Sequence, residues 1–370
     1  MNHKQIAIVG GGLSGLYAAF LLEQQGITDY VLLEARSYFG GRILDYTDTK
    51  NDDLDRFDLG PTWIWPGLQP QLDALINNLG LEKFAQYDQG YMVVERSSNE
   101  PPITMRNFVN SPASMRLKGG MGSLIRAIYE RLQSQELYVS ARVKSIRNGS
   151  QMLEISYCDA QSDSEHTVNV DHVFLALPPR LAANRIQFIP PLPKTLTEQW
   201  QETATWMAPH AKYIAIYDVP FWREQGLSGD ARSARGPMVE IHDASMPGGK
   251  AALFGFLGIP ANYRKELGVE EIKVHCRAQM ARLFGTDAEN FAADAFKDWA
   301  QDEFTATEFD LNMTNQHGRT PDNTVMGGIW KNRMTGVGSE WSAQFPGYIA
   351  GAIEAATIGV KDYVERRSTL

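Results

Sequence analysis

The chain has 370 residues, 43% apolar and 21% charged, the composition of a soluble globular protein long enough for two domains and a large core. Lys and Arg number 35 against 44 Asp and Glu, a formal net charge of −9, which argues against a nucleic-acid partner because phosphate binding needs a basic face. The only two cysteines, Cys158 and Cys276, are far apart and the seven histidines lack ligand spacing, so no disulfide framework and no metal site are expected, and a reducing compartment fits.

The first element is "IAIVGGGLSGLYAAFLLEQQG", residues 6–26. It is apolar, but Gly10, Gly11 and Gly12 interrupt it and Glu23-Gln24-Gln25-Gly26 stands where an export signal would be cleaved. No span reaches the roughly 20 apolar residues that crossing a bilayer requires. The expectation is a cytoplasmic protein without a membrane partner. A nucleotide-binding turn accounts for more of the residues. Residues 6–9 read as a strand, Gly10, Gly12 and Gly15 form G-x-G-x-x-G with Leu13 and Ser14 inside the turn, and residues 16–25 read as a helix stopped by Gly26. Residues 31–33 read as a second strand, ending at Glu34, nineteen residues past Gly15. Gly10 makes the tight turn, Gly12 lets backbone approach a pyrophosphate at a helix N-terminus, Gly15 lets helix pack on strand, and Glu34 can bind ribose hydroxyls. An acid there would repel a 2′-phosphate, which disfavours NADP.

After Glu34 come Ala35, Arg36, the pair Gly40-Gly41, and Arg42, then "FDLGPTWIW" at residues 57–65. A second glycine turn with an arginine can hold a second part of one extended cofactor. Here the sequence resembles the flavin-containing amine oxidases, the family of monoamine oxidase, polyamine oxidase and L-amino-acid oxidase, in a compact bacterial-type form. "GGGLSGLYAAFLLEQQG…VLLEARSYFGGR" carries the resemblance, and four further stretches follow in the family's order: "DLGPTW", "LKGGMGSLIRAI", "ARVKSI" with "HVFLALPPRLAANRIQFIPPLP", and "GVGSEWSAQFPGYIAGAIEAA". The resemblance implies FAD. It places Gly60, Pro61 and Thr62 near the flavin ring, gives Val143 backbone contacts to adenine, and assigns Glu340 to the ribityl or phosphate region. Residues 347–366 read as a helix with Ile349, Ala352, Ile353, Ala356 and Val360 on its apolar side. Its N-terminus at Gly347 carries partial positive charge, which in the family points at the flavin's pyrimidine end.

The implied fold is α/β (α+β mixed): a Rossmann-like FAD-binding domain (1–80, 112–183, 309–370) and a discontinuous mixed-sheet substrate domain (81–111, 184–308). In the latter, residues 212–222, 237–241 and 251–259 read as strands, residues 268–285 as a glycine-stopped helix, and residues 161–167 as a hairpin loop. The resemblance also implies two aromatic walls for the amine. Tyr348, eight residues after Glu340, fits one, Phe309 is assigned to the other, and Trp63 with Trp65 is expected to line the same pocket. Arg180, Arg223 and Arg319 read as surface charges, with a substrate carboxylate as their other reading. Three departures stand out. Only about fifty residues separate "DLGPTW" from "GGMG", where larger relatives carry a helical insertion. Alignment puts Met246 where the family often has a lysine linked through water to flavin N5. Glu308 stands where some relatives attach FAD through cysteine, so FAD should be non-covalent.

The expected activity is oxidation of an amine to an imine by hydride transfer to flavin N5, followed by imine hydrolysis and reoxidation by O2 to H2O2. Rate should rise with pH, because the neutral amine reacts. The expected partners are a small-molecule amine and O2, with a homodimer open. Two other readings remain: an FAD-dependent desaturase of a non-amine substrate, and a non-catalytic flavoprotein that serves another chain.

Overall fold

A computed structural model describes residues 3–47, 54–108, 111–160, 162–311, 320–325 and 327–368. The chain forms two compact units, one from Met1–Arg42, Leu124–Ala208 and Glu303–Leu370, the other from Ile43–Ser123 and Pro209–Asp302. The α/β class with a Rossmann-like N-terminal part stands. The units divide at other points than the sequence suggested. Residues 43–80 and 112–123 lie in the second unit, where Asp45–Tyr46 pairs with Phe57–Asp58 and Lys83–Ala85 with Met115–Leu117. Residues 184–208 lie in the first unit, because Leu192, Leu196 and Trp200 bury their side chains in its core.

The first unit is built on an eight-stranded sheet in the order Gln187–Ile189, Ala141–Asn148, Leu153–Asp159, Ser164–Leu175, His3–Val9, Tyr30–Leu33 and Leu137–Tyr138, with Met334–Gly336 joined to the end of Ser164–Leu175. His3–Val9 lies parallel to both neighbours, and its last four residues are buried on both faces, as the unbroken run "IAIV" requires. Helix Leu13–Gln24 crosses over to the parallel partner Tyr30–Leu33 and packs on helix Ile349–Ser368. Both helices bury small residues, Gly15, Ala18 and Ala19 in the first and Gly351, Ala352 and Ala355 in the second. The expected loop at 161–167 is shorter, because the strand already begins at Ser164; residue 161 lies outside the described residues.

His172 in this sheet is 2% exposed, with Nδ1 3.0 Å from the Asn332 carbonyl and Nε2 3.1 Å from Thr335 Oγ1. One donor and one acceptor satisfy a neutral imidazole, and burial pushes its pKa down to about 3. The unfolded chain, titrating near 6.5, therefore binds more protons than the fold as pH drops from 6.5 towards 3, and stability falls with it. About 2 kcal/mol should be lost between pH 7 and 5 from this group. His172→Gln keeps one donor and one acceptor without the titration. Thermal unfolding at the two pH values should show a smaller acid loss in this variant than in the parent.

The second unit has a seven-stranded sheet in the order Ala293–Asp298, Ala211–Tyr217, Ala251–Leu257, Met238–Asp243, Leu227–Ser233, Tyr91–Glu95 and Ile103–Arg106. Only the pair Leu227–Ser233 and Tyr91–Glu95 is parallel. The strand Ala211–Tyr217 is buried on both faces, and the two-residue period divides its side chains. Tyr213, Ala215 and Tyr217 share a core with Ile272, Cys276, Met280 and Phe284 of helix Val269–Phe284. Ile214 and Ile216 join Phe57, Leu59, Ala252, Phe254 and the half-buried Trp63 on the other face. Lys212 falls on that second face. The strand ends at Tyr217, and Pro220 caps a short helix, Phe221–Glu224, in place of the strand expected as far as residue 222. No described helix is long and apolar enough to cross a membrane.

Candidate active site

In the first unit the residues of both glycine turns come together. Gly10 has φ +106°, and its N–H donates to the Leu33 carbonyl at 2.8 Å. A Cβ on Gly15 would lie 1.9 Å from the Gly10 carbonyl oxygen, so helix and strand touch through backbone. The second turn lies against the first: Gly12 bridges Gly40, Gly40 N–H donates to Gly11 O at 2.9 Å, and a Cβ on Gly41 would meet Gly12 Cα at 3.2 Å. Leu13 and Ser14 are buried in the first helical turn. Gly12 offers no side chain to cap that turn, so its leading N–H groups are left for an external acceptor such as a diphosphate.

Glu34 is buried. Its Oε2 accepts from Gly11 N–H at 2.6 Å and Oε1 from Arg36 N–H at 2.7 Å, which ties the acid behind Ala35 to the glycine turn. The Arg36 guanidinium donates to Thr305 Oγ1 at 2.9 Å and stands 5.5 Å from the Phe304 ring. Arg42 and Glu340 form a two-point pair, Nη1 to Oε1 at 2.6 Å and Nη2 to Oε2 at 3.1 Å, with Glu340 only 2% exposed. Ser339 Oγ also accepts from Arg42 at 2.9 Å. Val143 lies where Ala141–Asn148 has an irregular register opposite Leu153–Asp159, and pairing with Gln187–Ile189 starts only at Ser145. Among the described residues, that stretch of strand edge is left for a ligand such as adenine. Close glycine turns, an uncapped helix start, a buried acid and a free strand edge suit a dinucleotide of FAD's length.

Gly347 has φ +82°, and a Cβ there would lie 2.4 Å from Trp206 Cβ. Tyr348 follows, and its ring stacks on Trp206 with centroids 6.2 Å apart and planes at 28°. Sequence reasoning passed over Trp206, because a tryptophan in a loop carries no periodic signal. Phe309, assigned to the second wall, is 64% exposed on the short helix Glu308–Leu311; neighbouring residues 312–319, Arg319 among them, lie outside the described residues. Arg180 is no surface charge: it is buried and ion-paired with Asp310.

In the second unit the "DLGPTW" segment is fixed by its own polar contacts. Leu59 O accepts from Trp299 Nε1 at 3.0 Å, and Trp63 Nε1 donates to Gln86 Oε1 at 2.8 Å. Pro61 lies between two residues that anchor one lysine. Lys212 Nζ donates to Gly60 O at 3.2 Å and Thr62 Oγ1 at 2.6 Å and sits 3.9 Å from the centre of the Phe254 ring. The residue is 1% exposed. Burial holds its pKa well below the usual lysine range, against the opposing pull of the Asp58 carboxylate. Trp63 covers the same sheet face, with ring centroids 4.9 Å from His242, 5.5 Å from Phe254 and 6.4 Å from Phe256. Trp65 turns to Ser114, its Nε1 donating to Oγ at 3.0 Å. Met246 is buried in the turn between Met238–Asp243 and Ala251–Leu257, with its N–H donating to Lys250 O at 3.1 Å. Sequence reasoning missed Lys212. Its signal was a charged residue inside the run "AKYIAIY", whose other members are all suited to burial. Among the described residues no group of three or more His, Cys, Asp or Glu side chains could hold a metal ion.

Known proteins match this arrangement over most of the chain. The sequence model described as "Flavin containing amine oxidoreductase" matches residues 103–361, and that of an "NAD(P)-binding Rossmann-like domain" matches residues 8–79. "Probable flavin-containing monoamine oxidase A" of Dictyostelium discoideum is 23% identical, over 95% of this chain and 95% of its own. Putrescine oxidase of Kocuria rosea is 24% identical over 86% of this chain and 88% of its own. Among solved structures, wild-type putrescine oxidase bound to putrescine is similar with a TM-score of 0.80, 22% identity and coverage of 98% and 99%. Cyclohexylamine oxidase from Brevibacterium oxydans gives a TM-score of 0.82 at 19% identity, with 99% of both chains covered.

Proposed function

The chain belongs to the flavin-containing amine oxidoreductases, and from that premise we propose that it oxidises an amine at the carbon bearing nitrogen and returns the electrons to O2. It is an oxidoreductase and its cofactor is FAD. When bound, FAD would supply the hydride-accepting and electron-transfer chemistry of the reaction. Imine hydrolysis then gives an aldehyde or ketone.

The chain's own residues bind, exclude water and hold a proton. The paired glycine turns, Glu34, Arg36 and Arg42 with Glu340 would hold the adenosine and diphosphate, and Val143 the adenine. They do so without a covalent tether, since Glu308 has no thiol to offer. The start of helix Ile349–Ser368 would offer partial positive charge to the pyrimidine end of the flavin, where the family resemblance places it. The stacked pair Trp206–Tyr348 supplies aromatic surface against which an amine can sit out of water. Lys212 Nζ is the observation that carries the oxygen half of the reading. It is anchored to "GPTW", the segment that the family resemblance places at the flavin ring, and burial leaves it able to hold or release a proton near neutrality. We assign to Lys212 the role that the alignment gave to Met246, whose thioether has no proton to donate.

The test is to mix the yellow holoprotein with a panel of mono- and diamines under anaerobic conditions. Bleaching of the long-wavelength flavin band by at least one amine, followed by return of colour and H2O2 on admitting air, is the expected result. Flavin that stays oxidised with every amine would overturn the reading in favour of a desaturase or a non-catalytic partner.

A further inference from the structure

Lys212 does not stand alone. Asp45 and Asp58 are direct cross-strand partners in the hairpin formed by Asp45–Tyr46 and Phe57–Asp58. Their carboxylates take consecutive backbone donors, Met121 N–H to Asp58 Oδ1 at 2.6 Å and Gly122 N–H to Asp45 Oδ1 at 3.0 Å. Two acids are thus held side by side at the start of one helix, Gly122–Tyr129. Asp58 is buried, and two residues further along the same segment the Gly60 carbonyl accepts a hydrogen bond from Lys212 Nζ. Arg116 completes the group from the strand Met115–Leu117. It is buried, with Nη1 and Nη2 spent on the Ser245 and Ala244 carbonyls at 2.9 and 2.8 Å. On the other side, Lys212 faces Lys297 across the strand pair, and Lys297 is held by Asp302 at 2.8 Å.

We propose that Asp58 is a positioning residue for the proton on Lys212 Nζ, and that Asp45 governs it in turn by deciding how readily Asp58 takes a negative charge. Two carboxyls held side by side resist joint ionisation. Burial comes first among the forces on Asp58 and the Asp45 charge second, and both hold it above the usual carboxylate range, whereas Lys212 and Arg116 draw it down. An ionised Asp58 keeps the proton on Lys212, and a neutral Asp58 lets burial and Arg116 drive it off. The acid pair thus acts on the lysine through charge, with Thr62 and Gly60 fixing where the lysine points.

The consequence for turnover rests on the reading of Lys212 in the oxygen step, but the test observes the proton itself. Holoenzyme labelled with 13C at lysine Cε is titrated by NMR, and the resonance lost in Lys212→Met identifies the residue. Asparagine at either acid keeps an oxygen for the Met121 or Gly122 N–H. In Asp58→Asn the Lys212 midpoint should fall by one pH unit or more, a tenfold smaller protonated fraction at a given pH. In Asp45→Asn it should rise, because Asp58 then ionises more easily. The pH midpoint of flavin reoxidation should move in the same two directions. Opposite shifts support the proposal; an unmoved midpoint, or shifts of one sign, overturns it. Should Asp58→Asn fail to fold, judged by circular dichroism and retained flavin, Asp45→Asn decides alone: a rise supports the proposal and its absence overturns it. If no amine reduces the flavin, the functional reading falls while the titration result stands.

Discussion

Lys212→Met should slow reoxidation of the reduced flavin by O2 by about 10²-fold or more, within the range expected for loss of one positioned proton donor, while leaving reduction by the amine within a few-fold. Methionine nearly matches the lysine stem in length, so the face formed by Phe254, Ile214 and Ala252 keeps its packing. Gly60 O and Thr62 Oγ1 lose their donor, at a cost of about 1–3 kcal/mol for each buried group left unpaired. Removal of a buried amine that burial already pushes towards neutrality offsets part of that cost. The variant should therefore fold, bind flavin and bleach with amine. Stopped-flow mixing of pre-reduced enzyme with O2 isolates the affected step. An unchanged oxygen rate would remove Lys212 from the mechanism and return attention to Met246.

Gly15→Ala should abolish retention of flavin, with affinity lower by at least two orders of magnitude. The added Cβ would lie 1.9 Å from the Gly10 carbonyl oxygen and 3.2 Å from Ala176 Cβ. Neither neighbour is a flexible side-chain end. The helix must lift away from the strand, which carries its first N–H groups out of reach of a diphosphate. Overpacking of this kind costs typically about 1–3 kcal/mol in stability. Gly26→Ala is the matched control. Its Cβ meets nothing within 4 Å, so only the strain of φ +74° is incurred and flavin should be retained. The ratio of flavin to protein absorbance after gel filtration, with thermal unfolding of both variants, separates lost binding from lost folding. Full flavin in Gly15→Ala would mean that the turn tolerates displacement.

The cofactor half was legible because its chemistry is local. Gly10, Gly12, Gly15 and Glu34 lie within 25 residues, the glycines each with a backbone task and the acid with a carboxylate task that few other residues can perform. The contact of Arg42 with Glu340 could be expected only through family resemblance, since nothing local links positions 298 residues apart. The second unit was harder to read. Lys212 was taken as an ordinary first residue of a strand, and the two-residue period that sends it to the aromatic face shows only once both faces of the sheet are known to be covered. Asp58 was hidden for a similar reason. A single acid before "LGPTW" is unremarkable until its cross-strand partner is another acid. The domain boundaries depended on which core accepts residues such as Leu196 and Trp200, and that is decided by tertiary packing alone.

The tie between Arg42 and Glu340 also bears on how the protein comes to exist in the cell. The first unit is assembled from Met1–Arg42, Leu124–Ala208 and Glu303–Leu370, so Arg42 leaves the ribosome 298 residues before the acid that pairs with it. At about 5–20 residues per second, that interval is on the order of tens of seconds. Throughout it the nascent chain carries an arginine and two glycine turns without their closing segment, and once the strand Ser164–Leu175 has been made it still lacks its partner Met334–Gly336. Locking of the cradle therefore waits for the segment that carries Glu340, and scarcity of flavin during expression should leave chains whose cradle has not been locked.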